Sequence, residues 1–199
     1  MRQFLTAVAI AVIGTTTLWY ATDGIRAVTT EGARRVQIAD SPPAVSSARL
    51  LDNTGETINL VAPAGGVALV EFIYTTCPTV CVSAGILFSQ LRDRLTEEGL
   101  DSRARLFSVS FDPERDGPQA LAAYADIHGI DGRIWKVGVL RNADLPRILS
   151  EFGITVIDDN FGGYEHNAAV HVVDSNRRLI GIHDIDEIPG VIAAVRGLK

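Results

Sequence analysis

Cysteine is nearly absent from this 199-residue sequence, which has two cysteines, one methionine and two tryptophans. So few cysteines cannot hold a small fold together with disulfide bonds, and we interpret the two as residues that carry chemistry. Basic residues are outnumbered, 18 against 24 acidic ones, which gives a net charge of −6. This charge, and the lack of any Lys/Arg cluster interleaved with aromatic residues, argue against a nucleic-acid partner. Internal repeats are absent too.

Apolar residues are plentiful by comparison, at 47% of the chain, although aromatic residues contribute only 7%. This composition is ordinary for a globular protein, so we do not expect disorder. The length allows one domain with appendages rather than two full domains.

One long apolar segment, residues 4–21, follows Arg2. Its length is at the lower edge of the roughly 17–25 residues that a membrane-spanning helix needs. Trp19 and Tyr20 suit a membrane interface, and Arg2 favours a cytoplasmic N-terminus. We therefore predict that residues 1–22 form a membrane anchor, a transmembrane helix.

The alternative is a cleaved signal peptide with residues 4–13 as its apolar core. The interruption at residues 14–17 favours this alternative, whereas the lack of a clear small-x-small cleavage site before Asp23 argues against it. Both interpretations export the rest of the chain. Because no Arg/Ser-rich transit segment is present, we expect a bacterial inner membrane with the soluble domain in the periplasm.

Residues 23–47 show no sustained hydrophobic period and end near two prolines, Pro42 and Pro43. We predict a linker here, with an edge strand at residues 33–38 as an alternative. The remaining residues, 48–199, are predicted to form the folded domain.

The pattern of the domain predicts the order hairpin, strand, helix, strand, helix, strand, helix, hairpin, helix. This order favours an α/β fold with a mixed central sheet flanked by helices and an extra N-terminal hairpin, thioredoxin-like in arrangement. The predicted segments are a hairpin at 50–58, a strand at 67–74, a helix from the cysteines to about 98, a strand at 103–111, a helix at 118–128 ended by Gly129, a strand at 133–140, a helix capped by Asn142 and running to 152, a loop at 155–164, hairpin strands at 167–173 and 178–182, and a helix at 186–198.

Cys77 and Cys81 are predicted to lie where the strand 67–74 passes into a helix. Residues four apart on a helix share one face, with Cα atoms about 6 Å apart. Two thiolates at that spacing can bind a soft metal ion or form a disulfide, and a helix N-terminus lowers a thiol pKa. A purely structural disulfide is disfavoured, because so short a loop recovers little chain entropy.

Two sulfur ligands leave a site for Cu(I) or Zn incomplete, and imidazole is the natural third donor. His166 follows a glycine-rich loop and is placed to overhang the helix N-terminus. The other three histidines have simpler explanations: His128 lies at a helix end, His171 within a strand where it packs or lies at an edge, and His183 beside Asp184 and Asp186. Spacing alone leaves this choice open.

Three segments of the sequence resemble the Sco/SenC family, whose members are membrane-anchored copper proteins with a thioredoxin-like fold. The segments are residues 72–81, 110–118 and 164–174, and they occur in the family's order and spacing. The resemblance runs from about Leu50 to the C-terminus.

This resemblance implies that Cys77, Cys81 and His166 bind copper, as Cu⁺ or Cu²⁺, and it gives Asp112 a supporting role. It implies a copper chaperone that delivers its ion to the CuA centre in subunit II of cytochrome c oxidase, with or without reduction of that centre's cysteines. A periplasmic copper donor or thiol reductant is the other implied partner.

A different class of function remains open, a metal-independent thiol-disulfide oxidoreductase or thiol peroxidase that uses Cys77 and Cys81 as a redox-active pair. The three-residue spacer between the cysteines argues against the first, because thioredoxin-type reductants use two. A copper or redox sensor is a third option, although no output domain is evident.

Overall fold

The structure is a computed structural model that describes residues 1–22, 24, 29–77 and 80–198, with the backbone alone at residues 80–82. The chain divides into two units, Met1–Pro42 and a second that begins at Pro43. Each unit is described separately below.

The first unit begins with α1 (Arg2–Ala21), a 20-residue helix in which no residue is buried. The helix has a mean hydropathy of 1.6 over its most apolar window and is long enough to cross a membrane. The predicted helix is therefore present and is a candidate membrane anchor.

The second helix of this unit, α2 (Thr30–Asp40), lies in the segment predicted to be a linker. Thr29 caps it by accepting a hydrogen bond from the amide of Gly32 at 3.0 Å. Glu31 pairs with Arg34 and Arg35, each at 3.2 Å. The alternative of an edge strand at residues 33–38 is wrong, because a cap and ion pairs one turn apart stabilise a helix without an apolar stripe. The assignment of residues 23–47 as a linker stays a prediction.

The second unit is built on a seven-stranded sheet in the order β2-β1-β5-β4-β3-β8-β9. Strands β3, β4 and β5 are parallel, and the outer strands run antiparallel to their neighbours. The elements are β1 (Arg49–Asp52), β2 (Thr57–Asn59), β3 (Val67–Ile73), α3 (Val80–Glu97), β4 (Ala104–Ser110), α4 (Pro118–His128), β5 (Trp135–Leu140), α5 (Leu145–Phe152), β6 (Val156–Asp158), β7 (Tyr164–His166), β8 (Val170–Asp174), β9 (Leu179–His183) and α6 (Ile188–Arg196).

Strand β3 runs through the middle of this unit and is buried at every residue. Val67 and Leu69 belong to the apolar core that includes Leu91 of α3 and Val195 of α6. Phe72, on the opposite face of the sheet, packs edge-on against Phe152 of α5, with 5.1 Å between ring centroids. A strand covered on both faces reads as a nearly continuous apolar run, which is why its sequence predicted it so clearly.

The predicted thioredoxin-like mixed α/β fold is confirmed. The N-terminal hairpin is present as β1 and β2, and α4 ends as predicted at Gly129, whose φ of 67° is left-handed. The cap of α5 was assigned wrongly, since the helix begins after Asp144 rather than Asn142.

The segment 155–164 was predicted to be a loop, but strands β6 and β7 pair there as a separate two-stranded sheet. Each strand has three residues, too few for a period of two to be recognised. This correction matters for the site, because β7 carries His166.

Candidate metal centre

Cys77 lies in the turn that follows β3, not on the helix. Its amide donates to the carbonyl of Tyr74 at 3.3 Å, and the residue is 6% exposed. Helix α3 is described from Val80 to Glu97. The expectation that both cysteines share one helical face is therefore wrong for Cys77, whereas the backbone of Cys81 lies in the first turn of α3 and its side chain is outside the described residues.

The turn before Cys77 is held by Asp116, which the sequence did not single out. One carboxylate oxygen accepts from the amide of Thr75 at 2.9 Å, and the other accepts from the Thr75 hydroxyl at 2.6 Å. Ser110, the last residue of β4, donates its hydroxyl to the same carboxylate at 2.5 Å. Asp116 is fully buried, so the end of β3, the end of β4 and the start of α4 meet at one side chain.

His166 is brought to this end of the sheet by the β6–β7 hairpin. The phenol of Tyr74 donates to the carbonyl of Tyr164 at 3.2 Å and accepts from its amide at 3.1 Å. The imidazole of His166 packs on Phe111, with ring centroids 5.0 Å apart, and on Tyr74 at 6.4 Å. Tyr74, three positions before Cys77, therefore contacts both the strand that carries His166 and the His166 ring.

Burial lowers the pKa of His166 below 6.5, against a smaller opposing effect of a backbone hydrogen bond at Asn167. The imidazole is consequently neutral at physiological pH. Neutral imidazole is the form that binds a metal ion, so no proton has to be displaced from this residue.

Asp112, predicted to support the site, is 3% exposed and forms an ion pair with Arg115. Arg115 also donates to the carbonyl of Gly162 at the tip of the hairpin, and its guanidinium lies 5.0 Å from the centre of the Tyr164 ring. Asp112 thus contacts the hairpin through Arg115. A supporting role for Asp112 stays a prediction, and Arg115 is a residue that the sequence reasoning missed.

The other histidines lie in separate environments. His171 is fully buried between Phe72 and Phe152, with Nδ1 3.3 Å from the carbonyl of Val70, so the predicted packing role is confirmed. His183 was expected to pair with Asp184 or Asp186, and its Nδ1 lies 3.3 Å from Glu187.

His128 was expected to interact with helix carbonyls at the end of α4. It instead packs on Tyr124, with ring centroids 4.4 Å apart, and burial lowers its pKa. A Cβ on Gly85 of α3 would lie 2.4 Å from this ring, which explains why glycine occupies that position.

A cavity of about 260 Å³ opens beside Cys77. One wall is the turn, and the other is a largely apolar face of α4. Its lining residues are Thr75, Cys77, Ala120, Ala123, Tyr124, Ile127 and His128.

Within the part of the chain that the structure describes, no three His, Cys, Asp or Glu side chains form a metal-binding group. The predicted ligand set includes Cys81, whose side chain lies outside that part. The ligand assignment to Cys77, Cys81 and His166 therefore stays a prediction.

Comparisons with known proteins identify the family. The family model described as SCO1/SenC matches residues 37–196. The SCO1 protein homolog of Bacillus subtilis (strain 168) is 35% identical over 71 residues, which is 36% of this chain and about a third of the length of that relative.

Two solved structures share the fold. ScoI of Arabidopsis thaliana, determined with copper bound, has a TM-score of 0.64 at 17% identity and covers 77% of this chain and 99% of its own. BsSco, a member of the Sco family of cytochrome c oxidase assembly proteins, has a TM-score of 0.67 at 20% identity and covers 79% and 94%. With the family model matching most of its length, this chain belongs to the SCO1/SenC family.

Proposed function

We propose that this protein binds one copper ion through Cys77, Cys81 and His166 and delivers it to the CuA centre of cytochrome c oxidase. Copper is the cargo rather than a resident cofactor. The proposal is supported by family membership, by the copper-bound ScoI of Arabidopsis thaliana and by the assembly role of BsSco.

The contact between Tyr74 and Tyr164 is the observation that carries the proposal. This contact connects the turn that bears Cys77 to the strand that bears His166, although Tyr74 and Tyr164 are 90 positions apart in the sequence. Two thiolates and an imidazole suit copper, because soft sulfur ligands select Cu(I) and imidazole is a common copper ligand. A site with three ligands also leaves room for an incoming ligand from an acceptor.

The cellular setting follows from α1, which we propose anchors the chain in the bacterial inner membrane with the second unit in the periplasm. A periplasmic copper donor or thiol reductant then loads or reduces the cysteine pair. The domain limits 1–22, 23–47 and 48–199 stay part of this proposal.

Copper titration of the reduced, detergent-solubilised full-length protein against a competing chelator tests the proposal. We expect one copper per chain and, with Cu(II), a thiolate-to-copper charge-transfer band. Cys77→Ser or Cys81→Ser should abolish the band, and His166→Ala should weaken it and lower the affinity. His183→Ala is the matched control and should behave like the wild type. Unchanged affinity in His166→Ala would exclude the three-ligand site.

Thiol-disulfide exchange is a second candidate function, favoured by the cavity beside Cys77, which can admit a thiol from a partner. BsSco, for which a disulfide switch is described, points the same way. Rapid reduction of a disulfide substrate by the metal-free protein, together with negligible copper affinity, would favour this function over copper delivery.

A further inference from the structure

Asp116 has a hydrogen-bonding pattern that the proposed copper ligands do not explain. The carboxylate is fully buried, and within the described residues it forms no ion pair. A buried carboxylate is costly unless hydrogen bonds replace its water shell. Here three donors do so: the amide and hydroxyl of Thr75 and the hydroxyl of Ser110.

Two of these donors belong to a single residue of the turn that delivers Cys77. The carbonyl of Tyr74 accepts from the amide of Cys77, which makes Thr75 the first of the two corner residues of the turn. Asp116 accepts from both the main chain and the side chain of that corner residue, so both the position and the orientation of the turn are set. The hydroxyl of Ser110 fixes the carboxylate itself.

Asp112, in the same loop as Asp116, is connected to the His166 hairpin rather than to the Cys77 turn. Asp112 pairs with Arg115, which reaches the hairpin of His166 at the carbonyl of Gly162. The loop is compact, since the carbonyl of Asp112 accepts from the amide of Asp116 at 2.9 Å. The loop 112–116 therefore contacts both parts of the candidate site. Asp116 binds the turn that carries Cys77, and Arg115 binds the hairpin that carries His166.

We propose that Asp116 is a positioning residue for metal binding, which holds the Cys77 turn at a fixed distance from the His166 hairpin. The proposal rests on the proposed copper function. A turn that is already in place binds the ion without first losing conformational freedom, so the contribution of Asp116 appears as affinity and as ligand geometry. Asp116 itself does not touch the metal in this arrangement.

Substitution of Asp116 separates positioning from charge. Asp116→Ala removes both acceptor oxygens and with them all three hydrogen bonds. Asp116→Asn keeps the size and one acceptor oxygen, and its amide can donate to the Thr75 hydroxyl. We expect Asp116→Ala to lower copper affinity by about tenfold or more, as losses around a metal ligand usually do. We also expect it to shift the charge-transfer band of the Cu(II) form, and Asp116→Asn to restore both largely.

Thr75 offers a second pair of variants if Asp116→Ala does not fold. Thr75→Val removes the hydroxyl and should weaken copper binding, while Thr75→Ser retains it and should restore binding. Asp131→Asn, a change at an exposed acid outside this loop, is the control. All variants are compared as full-length protein at a temperature where circular dichroism shows them folded.

The outcomes separate the two proposals. A wild-type protein that binds no copper overturns the proposed function. A wild-type protein that binds copper, with folded Asp116→Ala or Thr75→Val variants of unchanged affinity and spectrum, overturns the positioning role of Asp116 alone. Loss of thermal stability without any change in the metal site would mean that Asp116 has only a structural role.

Discussion

The phenol oxygen of Tyr74 bonds to both backbone groups of Tyr164, donating to its carbonyl at 3.2 Å and accepting from its amide at 3.1 Å. Tyr74 directly follows β3, three residues before Cys77, and Tyr164 begins the strand that ends at His166. A single hydroxyl group thus joins the two halves of the candidate metal centre.

Tyr74→Phe should separate these halves without changing the packing of the ring. We expect a loss of about 1–2 kcal/mol in the free energy of unfolding, the usual net value of two hydrogen bonds. Copper affinity should fall with it, since the His166 strand loses its link to the Cys77 turn. Denaturant unfolding and chelator competition measure the two effects. Tyr20→Phe, an exposed change in α1, should alter neither.

Glu71 predicts an unusual dependence of stability on pH. It is buried in β3, where it accepts from the hydroxyl of Ser108 at 2.5 Å, and Ser108 in turn accepts from the indole of Trp135 at 2.9 Å. Burial raises the pKa of Glu71 to about 8, against a smaller opposing effect of the Ser108 hydrogen bond. The carboxyl is therefore protonated in the folded protein at neutral pH.

The sign of this dependence follows from where the proton is held. Between pH 4.5, where the unfolded chain ionises Glu71, and about pH 8, the folded state binds more protons than the unfolded state. The free energy of unfolding should therefore fall by about 1.4 kcal/mol for each unit of rising pH in this window, and the fall should level off above about pH 8. Glu71→Gln should remove this slope in unfolding curves at pH 5, 6, 7 and 8. The exposed control Glu165→Gln should keep the slope. A slope that persists in Glu71→Gln would contradict the assignment.

Gly85 is expected to be intolerant of a side chain. A Cβ added at Gly85 would lie 2.4 Å from the ring of His128. Either the helix backbone or the ring would have to move to avoid this contact. Although alanine is the better helix former, Gly85→Ala should lower the free energy of unfolding by about 1–3 kcal/mol through overpacking. Adding His128→Ala should relieve the clash, so the double mutant should be more stable than the sum of the single changes implies.

The cavity beside Cys77 predicts how reagents reach the thiol. In a Cys81→Ser background, Ala120→Leu should narrow the cavity and slow the reaction of Cys77 with a bulky maleimide. Gln119→Leu places the same leucine side chain at a neighbouring exposed position and should leave the rate unchanged. Equal rates in the two variants would show that the thiol is reached from another side.

Local sequence signals predicted much of the fold. The continuous apolar run identified β3, and the left-handed Gly129 ended α4 where expected. These features depend on residues close in sequence, and a periodic pattern reports them directly. The same signals missed β6 and β7, whose three-residue strands are too short for a period to develop.

The candidate site was predictable only in part. Its chemistry could be inferred from two cysteines in one short segment and from the resemblance that nominates His166 as their partner. The arrangement of the residues around them could not be inferred. The helical geometry assumed for the pair was wrong, because α3 begins after Cys77.

By itself, the sequence determined the order of the longer helices and strands of the domain, the apolar N-terminal helix and the residue types available for a soft metal. The tertiary structure alone decided what holds them in place. Thr75 meets Asp116 across 41 positions, and Tyr74 meets Tyr164 across 90. Hydrogen bonds over such separations leave no periodic trace in a sequence, because only the pairing of the strands brings their donors and acceptors together.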